Sequence, residues 1–202
     1  MDRKTTIIFD LGGVLIDWNP RYVFNKIFDN EVDTEWFLEN ICTSEWNLSI
    51  DAGKPFAEAV KELVALNPEW KNQIEAFHLR WEEMLGGDIP ESVEILKKIQ
   101  TAGYPVLGLT NWSDETFPIA FDRFTFLQTF DGIVVSGAEK LIKPDPALYE
   151  LLLDRYSLIA GNCLFIDDNY HNIAAAVEIG FDTIHFINPG QFLRELQQRE
   201  IL

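Results

Sequence analysis

Residues 7–15 read Ile-Ile-Phe-Asp-Leu-Gly-Gly-Val-Leu: an apolar run that ends on one carboxylate, Asp10, and then turns on two glycines. A run rich in Ile and Phe and bounded by Gly predicts a buried strand. An acid at the carboxyl end of such a strand sits where open α/β sheets bind their ligands. Three later segments carry polar groups in similar places. They are Gly-Leu-Thr-Asn at 108–111, Leu-Ile-Lys-Pro at 141–144 and Phe-Ile-Asp-Asp-Asn at 165–169.

Five β-like runs recur, at 5–11, 104–110, 132–136, 163–167 and 182–186. Helical patterns lie among the later ones. Pro90 to Gly103 carries Val93, Leu96 and Ile99 at helical spacing, and further patterns cover 145–155, 172–179 and, at the C-terminal end, 191–199. This alternation predicts parallel strands joined by right-handed crossovers, a doubly wound α/β sheet. The first strand is different, because about ninety residues separate it from the next. That stretch predicts helices at 20–29, 33–42, 55–66 and 68–84, and holds five of the six tryptophans. The predicted organisation is an α/β core, residues 1–15 and 89–202, with an α-helical cap inserted at 16–88. A module placed just after the Asp10 strand would sit over the ligand-binding edge and act as a lid. Packing is the ordinary role of its aromatics, although Trp18, Trp46 and Trp112 could offer a stacking surface.

The polar groups suit phosphoryl transfer. A carboxylate such as Asp10 can attack phosphorus and split one hard step into two. Asp167 and Asp168, joined with Asp10, would crowd negative charge unless a cation intervenes. Oxygen ligands beside a phosphate favour Mg²⁺. Asp168 or Asn169 could equally cap the helix that follows. Lys143, ahead of two prolines in Ile-Lys-Pro-Asp-Pro, leaves a stiff loop and could neutralise Asp10 and a phosphate oxygen. The Thr110 hydroxyl and the N–H groups after it, at Asn111, suit a phosphate oxygen. The three histidines, His78, His171 and His185, have no spacing that indicates a metal site or a triad.

The order Asp10, Thr110, Lys143, Asp167-Asp168, each at a strand end or the loop beyond one, resembles the haloacid dehalogenase-like hydrolases. The resemblance covers the whole chain, including a helical cap after the first motif. It implies that Asp10 is the nucleophile and that Thr110 and Lys143 hold the phosphoryl group, with Asn111 and Gly12 also contacting substrate. It implies Mg²⁺ on Asp10, the Gly12 carbonyl and Asp167, with Asp168 nearby. One departure is plain. Most phosphatases of this family carry a second aspartate two positions after the nucleophile, where this chain has Gly12. A backbone carbonyl survives that change, but a general acid/base does not, and such a group contributes roughly 10²–10⁴-fold. Asp17, His171 or a cap carboxylate could take its place. Phe-Asp-Leu-Gly and Asp-Asp-Asn also resemble the bacterial glucose-1-phosphatase branch, whose anomeric leaving group needs less help. Two other functions fit the motif set: a 2-haloacid dehalogenase that uses the same aspartate, and a weakly active phosphoryl- and metal-binding domain.

The formal net charge of −17 repels nucleic acid and anionic membrane, so the expected partner is a small phosphate ester held by local cations. No apolar run is long enough for a membrane span, and no secretory signal precedes the first strand. Cys42 and Cys163 are far apart in apolar contexts and predict reduced core residues, which fits the cytoplasm. The pattern sets no oligomeric state.

Overall fold

The computed structural model describes residues 5–202. Among the described residues seven strands form: β1 (Thr6–Phe9), β2 (Ile16–Trp18), β3 (Leu85–Asp88), β4 (Val106–Thr110), β5 (Gly132–Val135), β6 (Cys163–Asp167) and β7 (Asp182–His185). Five of them make one parallel sheet in the order β5-β4-β1-β6-β7. All four β1 residues are buried, as are all five of β4 and of β6, which is why these strands read as unbroken apolar runs rather than alternating ones. The chain leaves β1 to build one side of the sheet and returns to build the other. The ends of β1, β4 and β6 therefore meet at the switch point, where a crevice opens.

Five helices stand between β2 and β3: α1 (Arg21–Phe24), α2 (Glu31–Asn40), α3 (Ser44–Asp51), α4 (Phe56–Leu66) and α5 (Lys71–Leu79). Their core is aromatic. Phe24 packs on Phe37 and Phe77, Trp46 meets Phe77 edge-on, and Trp70 lies against Phe28, Trp36 and Phe37. β2 and β3 pair antiparallel, with Ile16 opposite Asp88, and so tie the two ends of the insertion together. The core helices are α6 (Pro90–Thr101), α7 (Phe117–Arg123), α8 (Ser136–Glu139), α9 (Pro146–Arg155), α10 (Tyr170–Ile179) and α11 (Pro189–Gln198).

The local differences from expectation have identifiable causes. The helix expected over 20–29 closes after one turn at Phe24 and continues as turns. The helix expected over 68–84 is broken into a 3₁₀ turn at Pro68–Trp70, then α5, then a second 3₁₀ turn at Trp81–Met84. α2 starts earlier than expected because Asn30, whose side chain accepts from the Asp33 N–H, is its cap. α10 starts at Tyr170 because Asn169 caps it, through the His171 N–H. α3, α7 and the β2–β3 pair have no counterpart in the sequence reading. The signals for α3 were Thr43, which caps it through the Trp46 N–H, and Gly53, just past its end. Cys42 and Cys163 are buried and form no disulfide. Among the described residues no helix is long and apolar enough to cross a membrane.

Candidate active site

Asp10 follows β1 directly and is 9 % exposed. Its Oδ1 accepts the Leu11 N–H at 2.8 Å, which fixes the carboxylate at the strand end. Lys143 is almost fully buried, not a surface lysine. Its Nζ lies 3.1 Å from Asp10 Oδ1 and 2.6 Å from Asp167 Oδ2, and donates to the Leu109 carbonyl at 2.8 Å. Three anchors thus hold one ammonium across the ends of β1, β4 and β6. The loop that delivers it is held by Asn111, whose carboxamide donates to the Lys143 carbonyl and accepts from the Lys143 N–H, each at 2.9 Å. Asn111 lines the crevice, but its side chain is spent on placing Lys143.

The acidic pair divides its work. Asp167 is fully buried. Its Oδ1 accepts from the Asn169 N–H and from Asn172, and its Oδ2 from Lys143 and Asn172. Asp168 is exposed and lines the crevice, with its carboxylate so close to Gly13 that a Cβ there would lie 2.2 Å from Oδ2. His185 Nε2 donates to the Asp168 carbonyl at 2.9 Å and holds this turn. The chain does turn here, as convergence of two adjacent acids requires. The Thr110 hydroxyl, buried at the end of β4, has no hydrogen-bond partner among the described residues.

Asp10, Asp167 and Asp168 each offer an oxygen, all within 4.8 Å of one another. Three carboxylates share one ammonium, and the electrostatics record the imbalance. Burial pushes Asp10 up to about 7; Lys143 opposes this, while Asp167 and Asp168 add to it. Burial also raises Asp168, with Asp167 reinforcing the rise. Burial pulls Lys143 down, but Asp10 and Asp167 more than offset it and keep the ammonium charged. A nucleophilic carboxylate must be ionised near neutral pH. An all-oxygen cluster with surplus negative charge fits a divalent hard cation, which would bring these carboxyls back down.

Above the cluster lies a cavity of about 590 Å³. Asp10, Gly12, Asn111 and Asp168 form its floor, and Trp18, Leu38, Leu48, Phe77 and Trp81 are among the residues that face them from the insertion and its base. Trp112 lines it from the core, whereas Trp46 packs on Phe77 within the insertion. Cys42 also lines the cavity, but burial pushes its thiol far up and leaves it un-ionised.

An acidic crevice at the carboxyl ends of a parallel sheet defines an α/β protein of the enzyme-like kind, and sequence comparison supplies the family. A profile described as haloacid dehalogenase-like hydrolase matches residues 4–180, and the chain belongs to that family. The sesquiterpene phosphatase astK of Aspergillus oryzae is 28 % identical over 192 residues, covering 95 % of this chain and 94 % of that protein. Acyl-CoA dehydrogenase family member 10 of Mus musculus is 28 % identical over 211 residues, and this chain spans only 18 % of its length. The (S)-2-haloacid dehalogenase 4A of Burkholderia cepacia is 29 % identical over 101 residues, half of this chain and 44 % of that protein. Among solved structures, a family enzyme of Bacteroides thetaiotaomicron in a magnesium complex superposes with a TM-score of 0.69 at 21 % identity. It covers 90 % of this chain and 92 % of its own, and shows the shared fold.

Proposed function

We propose that the protein is a Mg²⁺-dependent phosphatase that hydrolyses a small phosphate monoester through an aspartyl-phosphate on Asp10. One observation carries this reading. The Asp10 carboxylate stands at the floor of the cavity, with the Lys143 ammonium 3.1 Å away and two further carboxylates beside it. Asp10 attacks phosphorus in line. Lys143 offsets charge on both the nucleophile and the phosphoryl oxygens, and the unpartnered Thr110 hydroxyl donates to one of those oxygens. The metal would be held by Asp10, Asp168 and the Gly12 carbonyl, and supplies charge neutralisation at the phosphoryl group. Asp167, whose oxygens are already engaged, holds Lys143 rather than the metal. This reverses the order of the pair that the resemblance implies.

Residues 16–88 act as the cap and choose the substrate. A sugar 1-phosphate fits best, because Gly12 leaves the first motif without an acid and an anomeric oxygen departs more readily than an alkyl one. The glucose-1-phosphatase branch has the same chemistry. Two free cysteines favour the cytoplasm. The test is phosphate release from a panel of sugar and nucleotide phosphates, with Mg²⁺ and with EDTA, beside Asp10→Asn. Release that needs both the metal and Asp10 is expected. Chloride release from a 2-chloro acid without metal would instead establish the dehalogenase reading, which the likeness to the Burkholderia cepacia enzyme favours and the Asp167-Asp168 pair opposes. Metal binding without turnover on any ester would leave the binding-domain reading.

A further inference from the structure

Gly12 leaves the first motif without a proton donor, and the molecule holds a carboxylate placed to supply one. We propose that Asp51, the last residue of α3, is the general acid and base of the phosphatase reaction, working from the cap across the cavity from Asp10. The proposal rests on the phosphatase reading above.

Three alternatives stood open in the sequence, and geometry separates them. Asp17, on β2, has its carboxylate bonded to the Tyr22 hydroxyl at 2.5 Å and does not line the cavity. His171, in the first turn of α10, is exposed and does not line it either. Of the cap carboxylates, Asp51 and Glu39 reach the cavity, and Glu39 is exposed to water. Asp51 is only partly accessible and is fixed. Asn47 donates to its Oδ2 at 2.9 Å from one turn earlier. Its backbone carbonyl accepts from the buried Ser136 hydroxyl at 2.5 Å, and that hydroxyl accepts from the Trp112 N–H at 2.8 Å. Two residues on, Gly53 (φ +95°) comes so close to the core that a Cβ would lie 2.8 Å from the Gly137 carbonyl. The Glu115 carboxylate takes the Phe56 N–H at 2.8 Å. The end of α3 is thus clamped to α8 and to the segment after β4, and that segment lines the cavity beside Asp10.

The C-terminal end of a helix disfavours negative charge, and no cation pairs with the side chain among the described residues. Burial pushes Asp51 up to about 7, the Ser113 N–H opposes this, and Asp10 is the charged group that reinforces it. A carboxyl titrating near neutrality can give and take a proton within one cycle.

In-line displacement puts the leaving oxygen opposite the nucleophile, on the cap side of the phosphorus. In the first step the Asp10 oxygen bonds to phosphorus and the phosphorus–ester oxygen bond breaks. Its electron pair goes to the leaving oxygen, which takes the Asp51 proton and departs as the alcohol. In the second step the Asp51 carboxylate takes a proton from water, whose oxygen bonds to phosphorus from that same side. The phosphorus–Asp10 bond breaks, and the carboxylate and inorganic phosphate are released. One group serves both steps because both occur on one face.

The experiment compares wild type, Asp51→Asn, Asp51→Glu and Asp10→Asn on a sugar 6-phosphate, a sugar 1-phosphate and p-nitrophenyl phosphate, each with saturating Mg²⁺. Asp51→Asn is expected to lose about 10²–10⁴-fold in kcat on the 6-phosphate and less on the 1-phosphate. On the aryl ester, whose leaving group needs no proton, it should release about one equivalent of nitrophenol in a burst and then stall as the phosphoenzyme. Asp51→Glu should regain part of the rate. A variant as fast as wild type overturns the proposal. So does an equal loss on all three esters without a burst, which marks a packing role. Should Asp51→Asn fail to fold, Asp51→Glu against Asp51→Gln makes the same comparison with side chains of one size. Wild type no faster than Asp10→Asn on every ester would overturn the phosphatase reading itself. Activity that needs Asp10 but ignores Asp51 would overturn only this inference.

Discussion

The floor and the roof of the cavity are built by different physics. The floor is ionic: Asp10, Lys143, Asp167 and Asn172 form a buried network in which nearly every polar atom has a partner. The roof is aromatic, with Phe24, Phe37, Phe77 and Trp46 in mutual contact and few polar anchors. An ionic network fixes atoms to within a hydrogen bond but fails badly when one member is removed. An aromatic core holds shape and tolerates variation in the groups that face the cavity. On the function proposed above, the sheet would carry the chemistry and the insertion the choice of substrate, with Asp51 as the roof's contribution to the chemistry.

The sharpest way to break this division is Asp10→Asn. It should abolish phosphate release, a loss of about 10⁴-fold or more, while leaving ester binding by calorimetry intact. Lys143→Met comes next. It strands Asp10 and Asp167 in a buried site without their cation, and denaturant unfolding should show a loss of about 3–5 kcal/mol. Phe77→Ala tests the roof. A large aromatic removed from a full core costs about 3–5 kcal/mol, and the ranking of substrates should blur while dependence on Asp10 persists. Mg²⁺ should raise stability by about 2.7 kcal/mol at a hundred times its Kd. Asp168→Asn should abolish most of that gain, and Asn111→Ala should not, which separates ligand from loop anchor in a thermal shift experiment.

The smallest effect is a pH dependence at Asp51. Its carboxyl is raised in the fold from the ordinary 3.8 to about 7. Between those values the folded chain keeps a proton that the unfolded chain has lost, so this group's contribution to stability falls as pH rises through that window. Asp51→Asn removes that contribution. The variant should melt above wild type at pH 8 and should match it near pH 4. A gain in stability paired with a loss of rate would mark the residue as one kept for chemistry.

Much of the floor was legible in the sequence because each part is local. Asp10, Thr110 and Asp167-Asp168 close apolar runs, and Lys143 precedes Pro144 in a loop, so their element types follow from a few neighbours. The parallel sheet follows from the same runs. The roof was less legible. α3 carries Trp46, Leu48 and Ile50 without a clean apolar stripe, so its pattern did not mark a helix, and the short β2 and β3 are strands only because they find each other across the insertion. That Asp167 is engaged by Asn172 and Lys143 was equally hidden, since these reach it from separate segments.

By itself the sequence determined the strand that delivers Asp10, the carboxylate and ammonium kit around it, and the absence of an acid at Gly12, because these are fixed by residue type and near neighbours. Only the tertiary structure decided that Lys143 is shared between Asp10 and Asp167, that Asp168 faces the cavity, and that Asp51 lines the same cavity as Asp10. Those facts join segments far apart in the chain, the Lys143 loop to the ends of β1 and β6 and the insertion to the sheet, and such contacts are set by packing that no local pattern encodes.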